Sequence, residues 1–403
     1  MESLTLLYQI GNGPSSSHTM GPQKAARAFA EQYPSPDSYR VTLYGSLAAT
    51  GRGHLTDKAL LGVLEPIAPV ELLWEPTVFL EFHPNGMKFE AIRNGEVEGS
   101  RIVYSVGGGA LSDGVSTTEK QHIYPLTTIT DIERYCESEG LTYWEYVERC
   151  EGPEIWDFMG EVWDAMRAAV ERGLRNEGVL PGGLGLQRKA GTYHVKAKGY
   201  SGAMQSRGKL YAYALAVSEE NASGGLIVTA PTGGSSGVLP AVLYHLQTSH
   251  EFERIRILRA LATAGLFGNV VKANASISGA EVGCQGEIGV ACAMAAAAAC
   301  QLFGGTSLQI EYAAEMALEH HLGLTCDPVC GLVQIPCIER NAIAAARAFD
   351  TNVYAMFSDG RHRVSFDRVV EVMRRTGKDL PSLYKETSQG GLAKDFGLRG
   401  GRE

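Results

Sequence analysis

No cluster of basic residues stands out in this 403-residue chain, and its formal charge is −9. Both facts argue against a nucleic-acid surface, which needs grouped Lys and Arg to meet phosphates. Arg361, Arg363, Arg374 and Arg375 lie among acids and apolar residues and read as a solvated face. Long apolar runs are missing as well. The longest, Ile288 to Phe303, is dominated by alanine and falls short of the ~20 strongly apolar residues of a membrane span. It reads as a buried helix. The opening residues, MESLTLLYQIGNG, lack a basic stretch ahead of an apolar core, so no signal peptide is expected. The expectation is a soluble, cytoplasmic protein that binds neither nucleic acid nor membrane. Dense CxxC pairs of the zinc type are absent, as is any repeat of fixed period.

What is present is ordinary globular material, 44% apolar and 20% charged, with enough length for two domains. The eight cysteines are expected reduced or metal-bound, not paired. Cys136 and Cys150 stand alone, whereas Cys284, Cys292, Cys300, Cys326, Cys330 and Cys337 crowd one stretch. Cys292 and Cys300 sit in the alanine-rich helix and read as small buried hydrophobes. Cys284, Cys326 and Cys337 lie among glycines, prolines and polar residues, which suits that account less well.

The pattern indicates an α+β fold: an N-terminal α/β sandwich-like domain over residues 1–150, then an all-helical catalytic domain over 151–403. Strands are expected at Tyr39–Gly45, Thr77–His83, Lys88–Arg93 and Ser100–Val106, with Asn85-Gly86 as a hairpin turn. Helices are expected at Pro22–Gln32 and Thr56–Leu64. From Asp131 onward helical spacing takes over, and Gly225–Thr229 is the one strand expected there.

Four segments interrupt this pattern. The first, Ser15-Ser16-Ser17-His18-Thr19, precedes a helix. One hydroxyl suffices for a cap, so the surplus suggests a carboxylate cradle. The second places His54 in a glycine-rich turn, where an imidazole can act as a base near neutral pH. The third, Thr232-Gly233-Gly234-Ser235-Ser236-Gly237, is a helix-opening anion loop without the lysine of a nucleotide-binding loop. The fourth runs from Lys272 to Glu287 and joins with Cys326 and Cys337, each within two residues of a proline. Three thiolates around one point suit an iron–sulfur cluster with one iron free to act as a Lewis acid. Buried thiols or zinc stay open on spacing alone.

The segments GPSSSHTMGP, YGSLAATGRGH, HPNGM, YSVGGG, LPGGL, NASISGAEVGCQGEIGVAC, GLTCDP, GLVQIPCIERNA and YKETSQGGLA resemble, in order, those of the bacterial iron–sulfur L-serine dehydratases. The resemblance covers nearly the whole chain. It implies a homodimer acting on a small amino acid, converting L-serine to pyruvate and ammonia in amino-acid degradation that feeds gluconeogenesis. It implies a [4Fe–4S] cluster held by Cys284, Cys326 and Cys337, and a substrate site built from Ser15, Ser16, Ser17, His18, Thr19, Asn85, Gly233, Gly234, Ser235 and Asn274. His54 is the expected catalytic base, with Lys272 next in line.

Departures from the family pattern fall near the chemistry. Leu55 and Cys330 replace usual glycines, Ala273 replaces a glutamate, and TGGSSG stands for TNGAAG. These bear on which β-hydroxy amino acid is used, with L-threonine the alternative to serine. Gly397 to Glu403 contain no cysteine, so no self-inhibiting thiol is expected there. Two rivals remain: a pyridoxal-phosphate dehydratase with Lys272 as its Schiff-base lysine, and a non-enzymatic sensor on a helical scaffold. The first lacks the repeated βαβ pattern that fold needs.

Overall fold

A computed structural model describes residues 1–114, 122–394 and 396. Its strands are β1 (Ile10–Asn12), β2 (Ser38–Tyr44), β3 (Val70–Glu75), β4 (Gly86–Arg93), β5 (Glu96–Ser105), β6 (Leu111–Ser112) and β7 (Leu226–Val228). The helices of the N-terminal half are α1 (Gly21–Gln32), α2 (Gly45–Thr50) and α3 (Thr56–Leu64). Then follow α4 (Ile129–Glu139), α5 (Tyr143–Glu151), α6 (Ile155–Arg175), α7 (Ala190–Ala197), α8 (Gly202–Ala222), α9 (Val238–His250) and α10 (Arg254–Asn274). The last are α11 (Gly279–Val282), α12 (Val290–Leu302), α13 (Ser307–Glu319), α14 (Cys337–Met356) and α15 (Phe366–Asp379). The fold is α+β, a mixed-sheet region followed by a mostly helical one.

One sheet runs in the order β3-β2-β4-β5-β6, parallel between β2 and β3 and antiparallel elsewhere. Period-two alternation fixes its register. Tyr39, Val41 and Leu43 of β2 and Met87, Phe89 and Ala91 of β4 are fully buried against Phe29 of α1 and Leu60 and Leu64 of α3. Arg40 and Lys88 turn to the other face.

Two expectations fail here. Residues 77–83 form no strand, and Asn85-Gly86 is not the hairpin turn. The turn is Asn94-Gly95, joining β4 to β5 with φ of 53° and 80°, the double left-handed conformation that a two-residue hairpin requires. Strand β3, between Pro69 and Pro76, escaped notice although Val70, Leu72 and Trp74 alternate with acids or exposed leucine.

The helical region wraps α12, whose residues are all buried except Gln301. Its alanines let α9, α10, α13 and α14 approach closely, and short side chains at the contact permit small interaxial spacing. Sequence order does not mirror the two cores. Leu4, Leu7, Tyr8 and Met20 belong to the helical core together with α4 to α15, whereas residues between 25 and 103 build the sheet core. The Tyr8 hydroxyl donates to Leu261 O at 2.9 Å, and β1 pairs antiparallel with β7, Ile10 opposite Val228. The N-terminal segment is thus threaded into the helical body before the sheet begins. Among the described residues, no helix is long and apolar enough to cross a membrane.

Candidate active site

That threading delivers Gly13 to Gly21 to the middle of the molecule. Residues Ser16–Met20 form one wide turn ahead of α1, all of them buried. Ser15 Oγ accepts from His18 N at 3.1 Å and lies 3.3 Å from Ser17 Oγ. Ser17 Oγ lies 2.9 Å from His18 Nδ1. Ser16 Oγ accepts from Gly233 N at 3.3 Å, which ties this turn to the Gly/Ser loop before α9.

His54 closes the turn between α2 and α3. Thr19 Oγ1 donates to its carbonyl at 2.7 Å, and its own Nδ1 lies 2.9 Å from Thr50 O. A carbonyl only accepts, so Nδ1 carries the proton and Nε2 bears the lone pair. Burial lowers the His54 pKa to about 4, leaving a neutral imidazole at physiological pH. His18 stacks on it at 4.5 Å and is pushed well below the ordinary range by burial and by His54. Glu386 Oε1 lies 3.5 Å from both His18 Nδ1 and His54 Nε2.

The three cysteines arrive by different local devices. Cys284 ends the loop after α11, and its carbonyl accepts from the amides of residues 287, 288 and 289 as the chain turns toward α12. Cys326 lies in a bridge with Lys385: its N–H donates to Tyr384 O at 2.8 Å, and Glu386 N donates to its carbonyl at 2.7 Å. Cys337 opens α14 after Pro336. All three line one cleft with Ser15, His54, Gly234, Glu287 and Glu386. Glu287 Oε2 lies 3.8 Å from Cys284 Sγ and 4.0 Å from Cys326 Sγ, and its Oε1 accepts from Thr232 at 2.7 Å. A Cβ on Gly279 would stand 2.7 Å from Glu287 Oε2 and 3.1 Å from Cys326 Sγ, so only glycine leaves this space open.

The donor set fits a cationic metal group. Cys326 is raised well above the ordinary thiol range by its contact with Cys284 and by burial, Cys337 by burial and then by Cys284. Glu287 rises to about 8 through burial and Glu386, and Glu386 to about 8 through burial and Cys284. Acidic groups crowded in a buried cleft ionise only if positive charge joins them. Arg340, one turn beyond Cys337, supplies part of it while donating to Thr325 O at 2.7 Å.

Other expected site residues fall around this cleft or away from it. Ser235 is buried and turned to its own loop, with Thr232 Oγ1 at 3.0 Å. Asn85 is fully buried; its backbone N–H donates to His83 Nδ1 at 3.1 Å, its Nδ2 donates to Ser105 O at 3.4 Å, and its side-chain oxygen has no partner. The structure does not bring Lys272 or Asn274 to the cleft. Lys272 Nζ pairs with Glu2 Oε2 at 3.0 Å, and Asn274 Nδ2 caps Thr127 O at 2.6 Å. Lys272 therefore has no contact with the Gly/Ser loop that the pyridoxal-phosphate reading needs. The expectation for the tail, 397–403, lies outside the described residues.

Glu287, Glu386 and Arg340 were given no role from the sequence, and Thr232 none beyond its place in the Gly/Ser loop. A signal existed for two of them. Glu287 follows Cys284 by three residues, and Glu386 is the acid within YKETSQGGLA.

Leu55 and Cys330 gain an explanation. Both hold left-handed backbone, with φ of 56° and 55°, where glycine carries no steric cost. Cys330 does not line the cleft of the other three thiols, and its Sγ lies 3.6 Å from Phe396 O.

Comparison with known proteins agrees with this architecture. Residues 98–393 match the family described as serine dehydratase alpha chain, and residues 3–72 the serine dehydratase beta chain. The chain is 42% identical to an L-serine dehydratase of Streptomyces coelicolor, covering 96% of this chain and 97% of that one. It is 40% identical to L-serine dehydratase 1 of Escherichia coli (98% and 99% covered) and 36% identical to an L-serine dehydratase of Helicobacter pylori (97% and 98%). The chain belongs to the serine dehydratase family, with its beta-type and alpha-type segments joined in one polypeptide.

Proposed function

We propose that this protein dehydrates and deaminates L-serine to pyruvate and ammonia. The observation that carries the reading is the meeting of Cys284, Cys326 and Cys337 with a neutral, buried His54 in one cleft. A [4Fe–4S] cluster held by those cysteines supplies, when bound, a Lewis-acidic iron that makes the β-hydroxyl a better leaving group.

The chain's own groups account for the rest. Ser15, Ser16 and Ser17 hold the substrate carboxylate with hydroxyls and turn amides, as a helix-opening turn favours an anion. His54 Nε2, free of its proton, takes the α-hydrogen. Glu386, beside that nitrogen and ionised once positive charge joins the cleft, stabilises the imidazolium that forms. The β-hydroxyl takes the proton back from the His54 imidazolium and departs as water, leaving 2-aminoacrylate. This tautomerises to an imine, and water hydrolyses it to pyruvate and ammonia. Burial of the cleft keeps bulk water from competing at the α-carbon.

The test is anaerobic purification with iron and sulfide analysis, followed by keto-acid release from L-serine and L-threonine. About four irons per chain and turnover of serine above threonine are expected. Iron-free protein that still turns over serine would overturn the reading, as would preference for threonine.

A further inference from the structure

A second cavity, of about 490 Å³, lies between α13, α14 and the loop before α15. None of its lining residues lines the cysteine cleft. Its volume falls within the ~300–1,000 Å³ of small-molecule sites. One wall is aromatic: the His362 ring lies flat on Tyr312 at 4.3 Å and 9°, and Tyr354 stands edge-on to Tyr312 at 6.1 Å. The other wall is acidic. Glu315 and Glu319 line it, four residues apart and so on one face of α13, with Glu311 one turn before them behind His362.

Most charges here already have partners. Glu311 Oε2 pairs with His362 Nε2 at 2.7 Å, and its Oε1 accepts from Phe366 N at 2.6 Å. Asp350 is held by Arg207 at 2.5 and 3.2 Å. Arg363 lines the cavity but is exposed, so solvent meets its charge. Glu319, at the rim, has the half-exposed His320 at 3.2 Å. Glu315 differs from all of these. It is only 3% exposed, it lines the cavity, and its Oε1 has no hydrogen-bond partner. Glu319 and His362 act on Glu315 through their charge, but no donor meets its Oε1.

We infer that this cavity binds a small organic monocation, an alkylammonium or guanidinium group, with Glu315 as counter-ion and Tyr354 and Tyr312 as its aromatic wall. An unpaired acid beneath a ring wall is the arrangement that recognises such cations through charge and ring quadrupole together. Without ligand, burial and the neighbouring Glu319 raise Glu315 to about 8, so it waits protonated. Arrival of the cation displaces that proton to solvent.

The test uses n-butylammonium chloride as probe on the full-length, anaerobically purified protein, followed by isothermal titration at pH 7.0 in two buffers of different ionisation enthalpy. Saturable binding with release of a proton is expected, and n-butanol should not bind. Glu315→Gln, isosteric with the protonated acid, should fold normally, retain serine turnover, weaken binding at least tenfold and abolish proton release. Tyr354→Ala should weaken binding severalfold without changing proton release. Absence of binding by the wild type, or equal binding by Glu315→Gln, would overturn the inference. Sedimentation distinguishes the source of the cation: if Glu315→Gln dissociates an oligomer, the natural occupant is a Lys or Arg side chain of a second copy and the free-ligand assignment fails. Neither readout depends on the cluster, so failure here leaves the proposed dehydration untouched.

Discussion

Oε1 of Glu386 lies 3.5 Å from Nε2 of His54, the nitrogen that carries a lone pair. The two residues are separated by most of the chain. They meet because Glu386 N donates to Cys326 O and Ser46 Oγ donates to Glu386 O at 2.7 Å. The acid is therefore fixed from both the sheet region and the cysteine loop. His54→Gln should lower kcat by about 10²–10⁴-fold with iron content unchanged. Glu386→Gln should lower kcat by roughly 10–10²-fold, with little change in KM, because it acts through the histidine. Solvent-exchange of the α-hydrogen, followed by NMR, reads this step directly. Normal exchange in His54→Gln would move the base to another residue.

This pair marks the limit of what the residues reveal beforehand. Cys284, Cys326, Cys337 and the serine turn stand out because each breaks a regular element with glycine, proline or surplus hydroxyls. The acids do not, since a glutamate in a polar segment is the ordinary solvated case. Helices α3 and α14 were legible from apolar spacing, and α12 from its unbroken alanine-rich run. The segment 77–85 was not: aromatic and β-branched residues mimic a strand there, yet it is an irregular path that buries His83 and Asn85. The β1–β7 pairing links residues more than 200 apart, and no local pattern encodes it.

Cys284→Ala, Cys326→Ala and Cys337→Ala should each abolish the visible absorbance of a bound cluster together with serine turnover, since each removes one of three thiolate donors. Iron analysis on anaerobic protein checks this. A full complement of iron in any one of them would remove that cysteine from the ligand set.

Gly53 carries a different constraint. A Cβ there would lie 2.3 Å from Gly331 O and 3.0 Å from Cys330 O, both backbone atoms that cannot swing aside. Gly53→Ala should cost roughly 1–3 kcal/mol and separate the His54 turn from the cysteine loop. Urea denaturation measures the first effect. A drop in kcat larger than the loss of folded protein measures the second.

At Cys330 the φ of 55° leads to the opposite sign. A non-glycine residue in this conformation costs about 1–2 kcal/mol, partly offset by the greater freedom of glycine in the unfolded chain. Cys330→Gly should raise stability by roughly 0.5–1 kcal/mol with iron content and serine turnover retained. Loss of iron in this variant would make Cys330 a ligand after all.

His362 provides a pH test of the second cavity's wall. Its contact with Glu311 raises its pKa to about 9, against burial that works the other way. The unfolded value is about 6.5. A raised histidine binds its proton more tightly when folded, so its contribution is complete below pH 6.5 and disappears as pH climbs through 9. Allowing for the partial exposure of the site, the pair should be worth roughly 2 kcal/mol at pH 6. His362→Gln should therefore destabilise the protein by about that amount at pH 6 and by much less at pH 9.5. Glu315 faces the same cavity and loses its own proton across this window, near 8. Glu133, beside Glu311 and His362, also titrates in this window, near 7, so the histidine is compared in a Glu133→Gln, Glu315→Gln background that removes both of those titrations. A destabilisation that stays constant from pH 6 to 9.5 in this background would show that His362 supports the loop only through its stacking on Tyr312, and that its charge contributes nothing.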